Sequence, residues 1–383
     1  MTDSPAHRRS VESDLRCIYL YSNGLRETDL ISNLFQISAL FIGAVTGQFL
    51  FQINSARAES KPTFHIQQQW HLGGTAGWGP MLFESSSKRL YIPRTDRVDV
   101  IDTETGKAAG EITGFVDARN IVLDDQGKFG FVTDITDGTV GFVRVFDRST
   151  LKLVSTIPVG RIPSAIVFDP ITKAVFAFGS RDRNASVIDT TTNTVTVSFP
   201  LPGKPHIAVT DGKGAIFVGL RGVGQMIRID AASRKISAIW PIAPCEEFTG
   251  LTMDASHRQL FGSCFNRDVV SVNADSGQVL AIGQSAASPG DLAFDALHHQ
   301  LISAASTGTL TVFRQESANQ YTLEEEAATL PRASTMALDP VTGRIYLVTA
   351  KFQQRPVVGK GMEELESRLT PVPDSLVVLV VGP

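Results

Sequence analysis

The sequence predicts an all-β fold, a seven-bladed β-propeller closed by pairing an N-terminal strand with the C-terminal blade. Three observations predict it. Charged residues make up only 19% of the chain and hydrophobic residues 43%, and the charged fraction lies below the roughly 25% that is usual for globular domains. One short pattern recurs seven times at nearly constant spacing. Its last copy lacks a strand that the segment 64–73 can supply.

The repeated unit begins with an apolar run that ends in an acidic residue and is followed by a turn. The seven acidic residues lie 40 to 45 residues apart and are Glu84, Asp124, Asp169, Asp211, Asp254, Asp295 and Asp339. Propeller blades repeat every 40 to 50 residues, roughly, so this spacing predicts one blade per unit.

Each unit continues with further short strands rich in β-branched and aromatic residues, the composition that strands prefer. In the third unit the second strand is predicted at Ala174–Phe178 and the third at Ser186–Asp189. The third strand often ends in Asp, whose carboxylate can accept backbone N–H groups two residues further on and so preset the following turn. These features predict four strands per blade.

The seventh unit ends at the strand predicted for Ser375–Val381 and has no fourth strand after it. The segment Phe64–Gly73 has the composition of a fourth strand and precedes the first unit. Pairing these two segments would close the ring and cover two sheet edges that otherwise favour aggregation.

Residues 1–58 are predicted to be a signal peptide or an N-terminal extension with an apolar segment, and residues 59–383 the propeller. No charged residue occurs from Leu30 to Ala56, and Ala56-Arg57-Ala58 fits the small-residue pattern of a signal-peptidase site. Cleavage near Ala58 would give a periplasmic or extracellular protein. An uncleaved segment is long enough to anchor the chain in a membrane, the alternative localisation.

Cys245 and Cys264 are the two cysteines that follow the N-terminal segment. An even pair in an exported protein is consistent with one disulfide. A hairpin turn near 255–258 would return Cys264 to the end of the blade at which Cys245 lies, so we expect the two residues to be bonded.

The repeats resemble the YVTN-repeat, YncE-like seven-bladed propellers of exported bacterial proteins over roughly residues 64–383. The resemblance rests on recurring turns and strands, namely Val100–Gly106, Val187–Asn193, Ile157-Pro158-Val159-Gly160, Gly308–Val312 and Leu376–Gly382. It implies an exported binding or scaffold protein, which we expect to be monomeric. These motifs are structural and do not specify a chemistry.

The loops from each fourth strand to the next first strand should gather at one mouth of the central channel, where binding sites on rigid scaffolds usually lie. Arg119, Arg161 and Arg332 could together hold a carboxylate or phosphate by forked hydrogen bonds. His206 with Glu247 or Asp291 could form an acid–base pair or hold a divalent ion. The ligand-binding candidates are Trp78, Arg119, Arg161, His206, Glu247, Asp291 and Arg332. Alternatively, these are rim residues that satisfy one another.

A formal net charge of −4 argues against a nucleic-acid partner. The chain has no G-x-S-x-G, H-E-x-x-H or phosphate-binding loop, so we expect no cofactor, no metal and no catalysis. The predicted function is presentation of the mouth loops to a protein or a small anionic ligand. The alternative is a propeller-type lactonase, hydrolase or lyase that uses His206 and Glu247 at the channel mouth; a redox partner resembling amine dehydrogenase propeller subunits is a third.

The insertion 351–374 is expected on the same face as the mouth, as a lid, a docking arm or an idle surface loop.

Overall fold

The computed structural model describes residues 63–74, 77–136, 138–355 and 368–383. The chain divides into the units 1–59 and 60–383, and the predicted leader, residues 1–58, lies outside the described residues. The described ranges contain strands and turns but no α-helix, and hence no helix that could span a membrane.

Seven four-stranded antiparallel sheets form the seven blades, which confirms the predicted fold class. The first three are Leu82–Glu84 (β2), Arg89–Pro93 (β3), Arg97–Asp102 (β4), Lys107–Thr113 (β5); Ala118–Leu123 (β6), Phe129–Ile135 (β7), Gly141–Asp147 (β8), Lys152–Val159 (β9); and Pro163–Asp169 (β10), Ala174–Gly179 (β11), Asn184–Asp189 (β12), Thr194–Pro200 (β13). The next three are Lys204–Thr210 (β14), Ala215–Arg221 (β15), Gln225–Asp230 (β16), Lys235–Pro241 (β17); Phe248–Asp254 (β18), Gln259–Cys264 (β19), Asp268–Asn273 (β20), Val279–Gln284 (β21); and Pro289–Asp295 (β22), Gln300–Ala305 (β23), Thr309–Ser317 (β24), Gln320–Ala328 (β25).

The seventh blade is built from both ends of the propeller sequence. It contains Thr335–Leu338 (β26), Ile345–Thr349 (β27), Val377–Gly382 (β30) and His65–His71 (β1). The strands β1 and β30 are antiparallel, with Trp70 opposite Val378. The predicted closure of the ring is therefore confirmed.

Two elements differ from the sequence prediction. Thr309–Phe313 is the predicted third strand of blade six, but the strand runs on to Ser317, because β25 continues to pair with it as far as Gln320. The insertion 351–374 contributes a small hairpin of its own, Phe352–Arg355 (β28) paired with Arg368–Pro371 (β29). Residues 356–367, between these strands, lie outside the described residues.

Neighbouring blades pack face to face through the apolar side chains of their second and third strands. Phe176 and Phe178 of β11 belong to the same buried cluster as Ile216 and Val218 of β15, and all four are fully buried. Burying one such side chain stabilises the fold by about 1.5–3 kcal/mol. This packing fixes the position of each blade's first strand, which faces the channel.

Cys245 and Cys264 form a disulfide, with their Cα atoms 5.5 Å apart. Cys264 is the last residue of β19, and Cys245 lies in the connection between β17 and β18. The bond therefore ties the connection that carries Glu247 to the end of a buried strand.

Candidate functional site at the mouth of the central channel

The first strands of blades two to six carry a β-bulge at the same end. In each of these strands the register against the second strand of the blade shifts near the strand's start. The shifts lie between Ala118 and Ile121 in β6, Pro163 and Ala165 in β10, Pro205 and Ile207 in β14, Phe248 and Gly250 in β18, and Pro289 and Leu292 in β22. A bulge leaves extra residues unpaired and redirects their side chains, and bulges are over-represented next to functional sites.

The bulges aim a set of polar side chains into one cavity of about 640 Å³ at the channel mouth. The side chains that lie between the shifted pairs and line this cavity are Arg119, Asn120, Ser164, His206, Thr249 and Asp291. Arg119, His206 and Asp291 were predicted to lie in connecting loops, whereas the structure places them within strands. Because the bulges let the strands extend further toward the mouth, these residues lie on the more rigid part of the scaffold.

Hydrogen bonds between neighbouring blades hold several of the bulges in place. The Asn120 side-chain amide donates to the Ser164 carbonyl at 3.1 Å, and the Ser164 hydroxyl donates to the Pro205 carbonyl at 2.7 Å. Further along the ring, the backbone N–H of Asp291 donates to the Ser334 carbonyl at 2.8 Å. The site is therefore braced before any ligand binds.

Arg221 joins His206 to Glu247, and it is not among the predicted site residues. Arg221 Nε donates to Glu247 Oε1 at 2.8 Å, and Arg221 Nη2 lies 3.1 Å from both ring nitrogens of His206. Burial and the Arg221 charge lower the pKa of His206, although Glu247 opposes this effect. His206 is therefore neutral near pH 7, and the cation occupies the place between His206 and Glu247 that a metal ion would need.

Asp291 is a charged group of the site with a single hydrogen-bond partner for its carboxylate. Its Oδ2 accepts one hydrogen bond, from the backbone N–H of Met336 at 3.0 Å, and it makes no ion pair within the described residues. Burial in the channel wall raises the pKa of Asp291 to about 6, against the smaller effect of the Met336 N–H. The carboxyl group thus changes charge near neutral pH while facing the cavity.

The three predicted arginines have different surroundings. Arg119 lines the cavity, and its Nε and Nη2 donate to Asp117 Oδ2 at 3.0 and 2.8 Å. Arg161 lies outside the cavity lining and is held by Asp182. Arg332 also lies outside it, because its guanidinium stacks over the ring of Phe352, 4.5 Å from the ring centre.

Trp78 also contacts the ring of Phe352. Its indole contacts Phe352 edge to face, with ring centres 6.3 Å apart. Trp78 and Arg332 therefore anchor the hairpin of the insertion beside the mouth. Of the seven predicted ligand-binding residues, the cavity brings together Arg119, His206 and Asp291; Trp78, Arg161, Glu247 and Arg332 do not line it.

Four further polar residues of the cavity were not among the predicted ligand-binding residues, namely Asn120, Ser164, Arg221 and Thr249. One signal could have found some of them. Pro163 and Pro289 are the first residues of two bulged strands, and Pro205 is the second residue of a third. Proline cannot donate a hydrogen bond to a sheet and is confined to strand starts, edges and bulges. The residues just after these prolines include Ser164 and His206.

No group of three His, Cys, Asp or Glu side chains within the described ranges is placed to hold a metal ion.

No protein-family model and no curated protein matches the sequence. Solved structures match the fold. A chain of hydrazine synthase from Kuenenia stuttgartiensis is 18% identical, with a TM-score of 0.62, covering 74% of this chain and 95% of that one. The structure of U3-55K is 9% identical, with a TM-score of 0.64, covering 83% of this chain and 98% of that one. At these identities the similarity shows the β-propeller fold alone.

Proposed function

We propose that this protein is an exported, non-enzymatic β-propeller of the YVTN-repeat, YncE-like kind that binds a small anionic ligand in the cavity at its channel mouth. The observation that carries the proposal is the set of five bulges that aim polar side chains into one space of about 640 Å³. Small-molecule sites typically measure about 300–1,000 Å³ and combine apolar walls with a few placed polar groups.

Arg119 and Arg221 are the groups that favour an anion. Each guanidinium is held by a carboxylate, Asp117 or Glu247. In the described part of the chain, Nη1 of each arginine has no hydrogen-bond partner, and the side chains are 46% and 55% exposed. Arginines that are already oriented lose little conformational freedom when they bind a carboxylate or phosphate.

Two features support export. The uncharged segment from Leu30 to Ala56 has the composition of a signal-peptide core, and disulfides such as Cys245–Cys264 persist in oxidising compartments. We place the protein in the periplasm or outside the cell, with membrane anchoring as the alternative if the segment is not cleaved. The propeller acts as a monomer, and a protein partner at the mouth would contact the outer arginines, Arg161 and Arg332.

The test is a calorimetric titration of the protein with glycolate, malonate and inorganic phosphate, with neutral glycolamide as the uncharged comparison. The double variant R119A/R221A should bind the anions at least about tenfold more weakly, since charge-assisted hydrogen bonds contribute about 1.5–3 kcal/mol. The matched control is R161A/R332A, which removes the same charge outside the cavity and should change the affinity less than about twofold. If R161A/R332A lost anion affinity and R119A/R221A did not, the binding site would lie outside the cavity.

A second candidate function, lactone hydrolysis, is favoured by Asp291. A carboxylate with a pKa of about 6 is suited to act as a general base near neutral pH. It would take a proton from water while the water oxygen attacks the carbonyl carbon, the ring C–O bond would break, and the proton would pass to the departing alkoxide to give a hydroxy acid. Proton NMR of the same protein with γ-butyrolactone and δ-valerolactone decides between the two candidates, because only hydrolysis gives hydroxy-acid signals that disappear in D291N.

A further inference from the structure

Three charged side chains of the described residues line the mouth cavity, and they come from alternate blades. Arg119 belongs to blade two, Arg221 to blade four and Asp291 to blade six. The first strands follow one another around the channel in chain order, and β26 of blade seven lies beside β2 of blade one. Two positive groups and one negative group therefore face the same space from different sides of the ring.

Close approaches between blades keep the mouth narrow. A Cβ atom on Gly250 of blade five would lie 2.7 Å from the carbonyl oxygen of Gly290 in blade six. Gly290 packs in the same way against the Ser334 carbonyl of blade seven. Gly79, just ahead of blade one, packs against the Arg119 carbonyl of blade two. Because glycine has no side chain, it allows such close backbone contact, and a small molecule can reach charged groups on different blades.

The charges at the mouth are compensated unequally. Arg119 is paired with Asp117 and Arg221 with Glu247, so each arginine has its own counter-charge. Asp291 pairs with no cation in the described part of the chain, and above its pKa of about 6 it gives the cavity an uncompensated negative charge. A ligand with negative charge alone would be repelled by this carboxylate, whereas a ligand that also carries a positive group would be attracted.

The cavity wall between Asp291 and Arg119 is apolar on the side of blades seven and one. This wall is formed by Pro80, Met81, Met336 and Leu338. Such side chains favour contact with hydrocarbon and offer no strong hydrogen bond to a polar group. We therefore expect hydrocarbon in the part of a ligand that joins its two charged ends along this wall.

From the three charges and the apolar wall between them, we infer that the ligand is an ω-amino carboxylate, a short hydrocarbon chain with a carboxylate at one end and an ammonium group at the other. The carboxylate binds Arg119 and Arg221, and the ammonium group donates hydrogen bonds to Asp291. The hydrocarbon part lies along Met81 and Met336. The inference rests on the proposed function, because the same two arginines hold the anionic group, and it adds the cationic end of the ligand.

The experiment measures by calorimetry, at about pH 7.5, where Asp291 is ionised, the affinities of ω-amino carboxylates and of the parent carboxylates that lack the amino group. The pairs are β-alanine with propionate, γ-aminobutyrate with butyrate, δ-aminovalerate with valerate, and ε-aminocaproate with caproate. We expect at least one amino carboxylate to bind about tenfold more tightly than its parent, because its charge-assisted hydrogen bond to Asp291 forms inside the cavity. The pair with the largest ratio reports the spacing of the charged groups.

D291N should remove this preference, because a neutral amide of the same shape does not attract an ammonium group. It should bind butyrate more tightly than the wild type, since a repelling charge is lost, and this binding also shows that the variant is folded. The matched control D125N makes the same change in the exposed turn between β6 and β7 and should keep the preference. R119A/R221A should weaken the binding of both members of each pair.

The outcomes separate the two proposals. If the parent carboxylates bind through Arg119 and Arg221 but no amino carboxylate binds more tightly than its parent, the inference is overturned and the proposed function stands. A preference that persists in D291N would also overturn the inference, since the ammonium group would bind elsewhere. If butylamine binds as tightly as γ-aminobutyrate and R119A/R221A does not change this, the carboxylate contributes nothing and both proposals fail. Absence of binding for every compound would overturn both as well.

Discussion

Acidic side chains lie at both ends of the channel, but their surroundings differ. At the far end, the acidic residues that close the first strands are buried, and each accepts at least two hydrogen bonds from its own turn or neighbouring side chains. Asp211, for example, accepts the backbone N–H groups of Lys213 and Ala215 and pairs with Arg258. At the mouth, Asp291 accepts a single bond from a backbone N–H and pairs with no cation in the described ranges.

The number of hydrogen bonds that each carboxylate accepts distinguishes a structural acid, such as Glu84, from a candidate functional acid, Asp291. Burial opposes ionisation of Glu84, yet its hydrogen bond from Tyr91 and the bond and charge of Arg148 hold its pKa below the usual value. Burial raises the pKa of Asp291 because one N–H cannot compensate for it. The far end therefore gains stability from its acids, whereas the mouth retains a carboxyl group that destabilises the fold when it is charged.

The largest effect is expected from removing the cation at the far end. R148A would leave Glu84 and Asp124 buried without their shared counter-charge, which should lower the free energy of unfolding by about 3 kcal/mol or more. Urea denaturation measures this loss. R119A, which removes a half-exposed arginine at the mouth, is the matched control and should change stability by about 0.5 kcal/mol or less. Equal losses in both variants would contradict the contrast between the ends.

Removing the disulfide tests whether the stability of the protein and anion binding at the mouth depend on the bond between Cys245 and Cys264. The bond spans 19 residues in sequence, and a loop of this size predicts that C245S/C264S loses about 3 kcal/mol of stability. The variant should also weaken anion binding, because the connection carries Glu247, which orients Arg221. Denaturation with and without a reductant gives the stability difference. Free thiols at both Cys245 and Cys264 in the unreduced, denatured wild-type protein would show that the bond does not form.

The smallest expected change in stability is an increase, and it is caused by D291N. Asp291 has a folded pKa of about 6, raised from 3.8, so the stability that its neutral carboxyl group contributes at low pH is lost as the pH rises from about 4 through about 6 and a charge forms in the channel wall. D291N cannot form this charge and should be more stable than the wild type at pH 7, by about 2 kcal/mol. The two proteins should have similar stabilities at pH 4. Melting temperatures measured from pH 4 to pH 8 check the prediction, and a D291N protein that is less stable at pH 7 would show that the carboxylate is structural.

Much of the architecture could be predicted from particular residues. The spacing from Glu84 to Asp339 predicted seven blades because an acidic turn residue recurs wherever a first strand ends. The segment around Trp70 predicted the closing strand because an unpaired edge needs a partner. Both predictions rest on local periodicity, which a sequence displays directly.

The candidate site could be predicted only in part. The residue types at the mouth could be predicted from the sequence, and Arg119, His206 and Asp291 do line one cavity. The position of Arg221 between His206 and Glu247 could not be predicted from the sequence. Arg221 reaches His206 through the pairing of β14 with β15 in blade four, and it meets Glu247 only where the connection to β18 of blade five folds back over it. The diversion of Arg332 to Phe352 likewise depends on the hairpin inserted in blade seven.

The sequence by itself determined the number of blades, the closure of the ring and which residue types lie near the mouth, since these follow from repeat spacing and strand composition. Only the tertiary structure decided which of those residues face the cavity. A bulge shifts one strand by one residue relative to its partner, and that shift depends on how the strand fits its neighbours across the blade and around the channel.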